Sequence, residues 1–252
     1  MQEIHSPDGN ATLLVEARTD VGCVRKNNED SHGIFPGTDP ARGSLLVVAD
    51  GMGGAAAGEV ASGLAIDTIG TIYADPAAGS TPVEALHAAV TRANRAIFER
   101  ATDDPRLGGM GTTCTAVAIT GAQAHFAHVG DSRAYLVAGG ELRQITSDHS
   151  LAAEFARQGG GGGAPARAKN VLTRCLGVKP EVKVDVSDPP IGLESGATVV
   201  VCSDGLTNLV EDGEILHMAA MHLPDGACKR LVALAVERGA PDNVTVVIAR
   251  LK

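Results

Sequence analysis

Short runs of apolar residues alternate with glycine- and aspartate-rich turns along most of the chain. Several runs are rich in valine, isoleucine and alanine and are too short for helices, which favours buried β-strands. The clearest run is LLVVA at 45–49, which ends in Asp50 and continues directly into glycines. The strands predicted on this pattern are residues 12–17, 30–35, 44–50, 112–120, 124–130, 133–146, 197–204 and 243–251.

Apolar residues recur at helical spacing in other segments. The strongest pattern places Val83, Leu86, Val90, Ala93 and Ile97 on one helix face. The predicted helices are residues 55–73, 82–101, 211–221 and 225–238.

The links between neighbouring predicted strands are short, and Gly139-Gly140 is typical of a two-residue hairpin turn. Consecutive strands with short links pair antiparallel, because a parallel pair needs a long crossover. We predict one domain over residues 11–252, preceded by a short flexible extension over residues 1–10.

Composition narrows the class of protein. With 252 residues, 44% of them hydrophobic, the chain can bury a large core. Its 21 basic and 30 acidic residues give a net charge of −9, so we expect no nucleic-acid partner and no anionic membrane partner. Five cysteines without a CxxC pair argue against a disulfide framework. The sequence has no signal-peptide pattern and no apolar stretch long enough for membrane insertion, so we expect a cytoplasmic protein.

Aspartates adjoin the predicted strands at turns. Asp50 and Asp204 share one pattern, in which a buried strand is followed by aspartate and glycine, and the others are Asp30, Asp131 and Asp242. Any one of them alone is typical of a turn former. Several carboxylates near the ends of a core are unfavourable unless cations pair with them. Oxygen ligands favour hard cations such as Mg²⁺ or Mn²⁺ over zinc.

Other catalytic motifs are missing from the sequence. The loop GMGGAAAGE lacks the GK[ST] ending of a phosphate-binding P-loop, and no GxSxG nucleophile elbow occurs. The cysteines lie in no recognisable phosphate loop, and His125 and His128 would face opposite sides of a strand. Without a protein nucleophile, a metal-activated water is the natural alternative.

The order of short motifs along the chain carries a family resemblance. RTDVG, VRKNNED, DGMGG, GMGTT, HVGDSR, TSDHS, NVLTR, SDGL and DN follow one another between Ala17 and Leu251. In this order they resemble the metal-dependent protein phosphatases, the PPM or protein phosphatase 2C-like family, and most of all its bacterial serine/threonine phosphatases. The resemblance implies an α+β fold, a four-layer α/β/β/α sandwich of two antiparallel β-sheets flanked by helices.

The resemblance also implies roles for individual residues. Asp50 would bridge two Mn²⁺ or Mg²⁺ ions, and the Gly51 carbonyl would bind one of them. Asp204 and Asp242 would complete the site of the other ion, and Asp131 would join Asp204 at a third metal position seen in bacterial members. The remaining implied residues are the acidic pair Glu29 and Asp30, which would bind metal directly or through its waters, and Arg25, which would hold the substrate phosphate.

The implied reaction is hydrolysis of phosphoserine or phosphothreonine by direct attack of a metal-bridging water, with no phosphoenzyme. Asp50, Asp30 and Arg25 would be the catalytic residues. We expect phosphorylated proteins as partners, namely a cognate bacterial serine/threonine kinase and its substrates, and we expect a monomer. Two alternatives stay open: a pseudophosphatase that binds phosphoproteins without turnover, and a phosphatase of small phosphomonoesters.

The chain departs from the family pattern at two places. Eukaryotic members have a histidine, a proposed general acid, where this chain has Met52, so the leaving group would take its proton from water or another group. The family's flap over the site corresponds to the segment between Ser150 and Asn170, where five glycines at 159–163 replace part of a polar helical stretch. We expect this run to be mobile and discrimination among phosphopeptides to be weak.

Overall fold

Strands and helices alternate in blocks along the chain. The computed structural model describes residues 1–6, 9, 11–53, 57–157 and 171–252. The strands are β1 Gln2–His5, β2 Thr12–Asp20, β3 Asp30–Phe35, β4 Ser44–Met52, β5 Gly111–Thr112, β6 Cys114–Thr120, β7 Gln123–Val129, β8 Arg133–Ala138, β9 Glu141–Gln144, β10 Asp185–Val186, β11 Ile191–Gly192, β12 Thr198–Cys202 and β13 Val244–Leu251. The helices are α1 Ala57–Ala74, α2 Pro82–Asp103, α3 Leu151–Arg157, α4 Asp204–Thr207, α5 Asp212–Met221 and α6 Pro224–Glu237.

The described strands form two antiparallel sheets. The first sheet has the order β1-β2-β13-β12-β8-β9, and the second has the order β10-β7-β6-β4-β3, with β11 also on β7 and β5 on β4. Short turns link β6 to β7 and β8 to β9. At the second of these turns, Gly139 and Gly140 have φ values of +59° and +81°, a left-handed backbone that favours glycine. The predicted antiparallel pairing is confirmed.

Successive side chains of the central strand β4 point to opposite faces of the sheet and contribute to two layers of the core. Leu45, Val47 and Ala49 pack with α1 and α2, whereas Leu46 and Val48 point to the opposite face and pack against the first sheet. A third apolar layer lies between the first sheet and helices α5 and α6. The order of layers is therefore helices, second sheet, first sheet, helices, which confirms the predicted α+β four-layer sandwich.

The amino-terminal residues differ from the expectation. Gln2–His5 pair antiparallel with residues 12–15 at the edge of the first sheet. Ile4 packs between the two sheets and is only 6% exposed. The expectation of a flexible extension over residues 1–10 is therefore wrong for Gln2–His5. The physical reason is a single buried isoleucine in a polar stretch, a signal too short for periodicity to reveal.

Two predicted strands are interrupted in the structure. Residues 112–120 form β5 and β6 with Thr113 between them. The strand predicted at 197–204 ends at Cys202, and Ser203 leads into α4. Both interruptions adjoin acidic turns. In the part of the chain that the structure describes, no helix combines the length and the apolarity needed to cross a membrane.

Candidate metal centre

Asp30 and Asp50 lie opposite each other on two neighbouring strands. Asp30 opens β3, Asp50 lies near the end of β4, and the antiparallel register pairs them directly. Asp30 is only 8% exposed, and the Ser203 hydroxyl donates a hydrogen bond of 2.8 Å to its Oδ2. Its Oδ1 is buried and has no hydrogen-bond partner among the described residues. A buried carboxylate oxygen without a donor is unfavourable, so this atom is a candidate ligand for a cation.

Two threonines fix the backbone of Asp50. The Thr112 hydroxyl and the Thr113 N–H both donate to the Asp50 carbonyl at 2.9 Å. The Asp50 N–H donates to the Thr113 hydroxyl at 2.9 Å, and that hydroxyl lies 2.7 Å from the Ser132 hydroxyl. These bonds account for the break between β5 and β6, because Thr113 bonds to Asp50. They also tie Asp50 to the turn that carries Asp131.

Gly51 lies in crowded backbone at the end of β4. Its N–H donates to the Glu29 carbonyl at 3.1 Å. A Cβ added at Gly51 would overlap the carbonyl of Gly58 at the start of α1. The close approach of these three segments therefore requires glycine. This steric reason is independent of any metal role for the Gly51 carbonyl.

Asn243 joins the loop before β3 to the start of β13. Its amide donates to the carbonyls of Val21 and Asn27 at 2.9 and 3.0 Å. Its amide oxygen accepts the Glu29 N–H at 2.8 Å. Glu29 is a predicted ligand and Asn27 lies two residues before it, so Asn243 fixes the geometry of this corner.

The second strand–aspartate–glycine turn packs against Asn243. Asp204 opens α4, and a Cβ at Gly205 would overlap the Asn243 carbonyl. The neighbouring Asp242 accepts a hydrogen bond of 2.8 Å from Arg25, and these two side chains are 39% and 50% exposed. Arg25 therefore lies at the solvent rim of the acidic residues.

Burial and mutual repulsion raise the pKa values of the carboxyl groups. Burial, followed by nearby charges that include Asp204, raises the pKa of Asp30 to about 6 and that of Asp131 to about 7. The pKa of Asp50 lies well above its usual range, first because of burial and then because of repulsion from the other aspartates. Burial and the charge of Asp242 also raise the pKa of Asp204. These shared interactions place the predicted aspartates in one acidic cluster.

The acidic cluster fits a cation chemically, although its side chains do not form a ready coordination shell. Among the residues that the structure describes, no three His, Cys, Asp or Glu side chains form a group that could hold a metal ion as they stand. Carboxylates that repel one another keep their oxygens apart, and a cation reverses that preference. The unpartnered Oδ1 of Asp30 and the raised pKa values are both features that a bound cation would relieve. An all-oxygen donor set suits Mg²⁺ or Mn²⁺.

A pocket of about 320 Å³ opens beside the acidic cluster. Asp131 and Asp204 line it, together with Arg133, Asp148 and residues of α3. The Arg133 guanidinium donates to both carboxylate oxygens of Asp148 at 2.8 to 3.1 Å, so its charge is already paired. The pocket has room for a substrate side chain next to the carboxylates.

The predicted site residues lie on adjoining turns at one end of the two sheets. They are Arg25, Glu29, Asp30, Asp50, Gly51, Asp131, Asp204 and Asp242. Sequence reasoning missed Thr113, Ser203 and Asn243, which hold these residues in place. Each lies inside one of the short sequence motifs (GMGTT, SDGL and DN), which is the signal that could have identified them. The glycines at 159–163 lie outside the described residues.

Comparisons with known proteins show which family and which proteins the chain is similar to. The family model described as protein phosphatase 2C matches residues 24–225. The serine/threonine protein phosphatase PstP of Mycobacterium tuberculosis is 40% identical over 242 residues, which cover 94% of this chain and 45% of PstP. The serine/threonine phosphatase stp of Listeria innocua is 36% identical over 243 residues, covering 94% of this chain and 95% of that protein. The chain thus spans less than half the length of PstP.

Solved structures share the fold. The catalytic domain of PstP in complex with two manganese ions has a TM-score of 0.82 and 38% identity, covering 95% of this chain and 98% of that chain. The Ser-Thr phosphatase MsPP from Mycobacterium smegmatis, in complex with cacodylate, has a TM-score of 0.79 and 33% identity with the same coverage of both chains.

Proposed function

The chain belongs to the protein phosphatase 2C family of metal-dependent serine/threonine phosphatases, and on that premise we propose that its acidic cluster binds divalent cations and hydrolyses phosphoserine and phosphothreonine in proteins. The observation that carries the proposal is the cluster of buried carboxylates that raise one another's pKa. Within it, the Oδ1 of Asp30 has no donor among the described residues. The PstP catalytic domain, which has the same fold, is in complex with two manganese ions.

The cation ligands would come from the turns described above. Asp50 lies between Asp30 on the neighbouring strand and the turn of Asp131, so it would be the central carboxylate among the residues that hold the ions. When bound, such ions make water more acidic and offset negative charge on the phosphoryl group. The full set that would hold Mn²⁺ or Mg²⁺ is Glu29, Asp30, Asp50, Asp131, Asp204, Asp242 and the carbonyl of Gly51, with Asp131 and Asp204 at a third position.

Arg25 would orient the substrate phosphate. Its guanidinium is half-exposed, and its partner in the structure is Asp242. A guanidinium can donate two parallel hydrogen bonds to phosphate oxygens. A phosphate arriving at the rim would therefore replace Asp242 as the acceptor, and Asp242 would turn towards a cation.

Asp30 would bind a cation directly or through a water that the cation holds. Ser203 holds its Oδ2, which leaves Oδ1 as the oxygen without a protein donor among the described residues. Met52 carries no transferable proton, so the leaving group would take its proton from water.

A phosphatase assay tests the proposal directly. A phosphothreonine peptide and a sugar phosphate are each incubated with the protein in Mn²⁺ and after EDTA treatment. We expect Mn²⁺-dependent phosphate release, with a higher kcat/KM for the peptide than for the sugar phosphate. Asp50→Asn should lose this activity, and the matched variant Asp67→Asn, at an exposed position of α1, should keep it.

Two results would contradict the proposal. Peptide binding without any phosphate release would indicate a pseudophosphatase. A higher kcat/KM for the sugar phosphate would indicate a phosphatase of small phosphomonoesters. The cognate bacterial kinase, the cytoplasmic location, the monomeric state and the mobility of residues 159–163 stay predictions.

A further inference from the structure

His149 contacts the turn before Asp131 through two hydrogen bonds. The His149 N–H donates to the Gly130 carbonyl at 2.7 Å, and the Gly130 N–H donates to the His149 Nδ1 at 3.1 Å. Gly130 has a φ of +117°, and a Cβ there would lie 2.6 Å from the Cβ of Thr113. The fully buried His149 therefore hydrogen-bonds both backbone groups of a sharp turn immediately before Asp131, a predicted metal ligand.

The other ring nitrogen of His149 is fixed by Asp185. Its Nε2 lies 3.0 Å from Asp185 Oδ2, and Asp185 Oδ1 accepts a hydrogen bond of 2.6 Å from Arg174. A carboxylate can only accept, so Nε2 carries the proton and Nδ1 is free to accept from Gly130. Burial lowers the pKa of His149, in keeping with this neutral tautomer.

The opposite side of the same turn is held independently. The Thr115 hydroxyl donates to the Ser132 carbonyl at 3.0 Å and lies 2.9 Å from His128 Nδ1. The His128 ring packs on the His149 ring with 4.8 Å between centroids. The backbone on both sides of Asp131 is therefore fixed, since Gly130 is hydrogen-bonded to His149 and Ser132 is hydrogen-bonded to Thr115.

His149 also contacts the chain beyond the segment 158–170. Its carbonyl accepts the Thr173 N–H at 2.8 Å, and Leu151, two residues later, donates its N–H to the Val171 carbonyl at 2.8 Å. One residue thus joins the Asp131 turn, the start of α3 and the segment around Thr173.

We infer that His149 is a positioning residue for the proposed phosphatase site: by accepting the Gly130 N–H, it fixes the turn that aims Asp131 into the acidic cluster. Asp185 and Arg174 support it by holding the proton on Nε2. The inference rests on the proposed function and adds residues that do not themselves contact the acidic cluster.

Three variants separate the two sides of the His149 ring. His149→Asn keeps an acceptor oxygen near the place of Nδ1, and His149→Gln keeps a donor near the place of Nε2 but loses the acceptor. Asp185→Asn leaves the ring intact: because Arg174 requires the amide oxygen, the amide NH₂ faces Nε2 and drives the proton to Nδ1, opposite the Gly130 N–H. Asp188→Asn, in an exposed turn, is the matched control.

The primary measurement is hydrogen exchange of the Gly130 amide by NMR in metal-free protein. Loss of one buried hydrogen bond should accelerate this exchange by about tenfold or more in His149→Gln and Asp185→Asn. His149→Asn should retain most of the protection, and Asp188→Asn should match the wild type. In the phosphopeptide assay with Mn²⁺, His149→Gln and Asp185→Asn should lower kcat and leave KM unchanged.

Equal exchange rates of the Gly130 amide in His149→Asn and His149→Gln would overturn the inference. If His149 only filled space, both substitutions would change the exchange rate by the same amount. Unchanged exchange in Asp185→Asn would also overturn the inference. If His149→Gln does not fold, Asp185→Asn decides alone, since the Asp185 side chain is 35% exposed and the change is isosteric. Exchange needs neither metal nor turnover, so an inactive wild type with the expected exchange pattern would defeat the proposed function alone.

Discussion

Replacing Asp30 with asparagine should stabilise the metal-free protein while impairing catalysis. Asp30 is 8% exposed, and its Oδ1 has no hydrogen-bond partner in the described part of the chain. Asparagine keeps an oxygen that can accept the Ser203 hydroxyl, and it removes a buried charge that repels the neighbouring carboxylates. The variant therefore removes the charge and keeps the shape of the side chain, so the change in the free energy of unfolding reports the charge alone.

The size of the effect follows from the pKa of Asp30. Burial is the main cause that raises this pKa from 3.8 to about 6. One pKa unit corresponds to about 1.4 kcal/mol, so ionisation of Asp30 destabilises the fold by about 3 kcal/mol at pH 8. Because the folded pKa lies above the unfolded one, this penalty is complete above the folded pKa and shrinks as the pH falls towards the unfolded pKa. At pH 5 about half of it should remain.

The assay is urea denaturation in EDTA at pH 8 and pH 5, for the wild type, Asp30→Asn and the control Asp67→Asn, which lies on the exposed face of α1. We expect Asp30→Asn to raise the free energy of unfolding, and the gain at pH 8 to be about twice that at pH 5. Other titrating groups, such as the buried histidines, are common to all three proteins and largely cancel in the differences. A destabilised variant, or a gain independent of pH, would refute the reasoning.

Two further changes act on the backbone and on the rim of the site. Gly51→Ala should destabilise the fold by about 1–3 kcal/mol in thermal or urea unfolding, because its Cβ would overlap the Gly58 carbonyl. Unchanged stability would show that the backbone around Glu29, Gly51 and Gly58 can move apart to accept a methyl group. Arg25→Ala should raise the KM for a phosphothreonine peptide by about tenfold or more, since charge-assisted hydrogen bonds contribute about 1.5–3 kcal/mol. Its Mn²⁺ binding should persist in calorimetry, and Arg25→Lys should restore little, because an ammonium does not reproduce the bidentate contact. An unchanged kcat/KM in Arg25→Ala would reduce this residue to a surface partner of Asp242.

Elements with a long local pattern could be predicted from the sequence. Helix α2 begins at the capping residue Thr81 and carries its apolar residues at regular spacing, and the structure confirms it over Pro82–Asp103. Strand β1 could not be predicted, because Ile4 is its only buried residue. The strand forms by pairing with β2, and this long-range contact leaves no local pattern in the sequence. The break at Thr113 was equally hidden, since it depends on hydrogen bonds to Asp50, which lies on another strand.

In the candidate site, too, residues with a local sequence pattern could be predicted and residues that depend on long-range contacts could not. Asp50 and Asp204 stand out because strand, aspartate and glycine are consecutive residues. The contact between Ser203 and Asp30 joins positions 173 residues apart and depends on how the two sheets pack. The hydrogen bonds of Asn243 to the loop before β3 join positions 222 and 216 residues apart. Local patterns can therefore identify the acidic residues but not the side chains that hold them.

Calorimetric titration of metal-free protein with Mn²⁺, in the wild type and in Asp50→Asn, tests most directly whether the buried carboxylates form a metal site. We predict binding of at least two ions to the wild type and loss of the bridged pair in Asp50→Asn, because an amide does not bridge two cations as a carboxylate does. The exposed variant Asp67→Asn should bind like the wild type. Unchanged Mn²⁺ binding in Asp50→Asn would contradict the assignment of the acidic cluster as the metal centre.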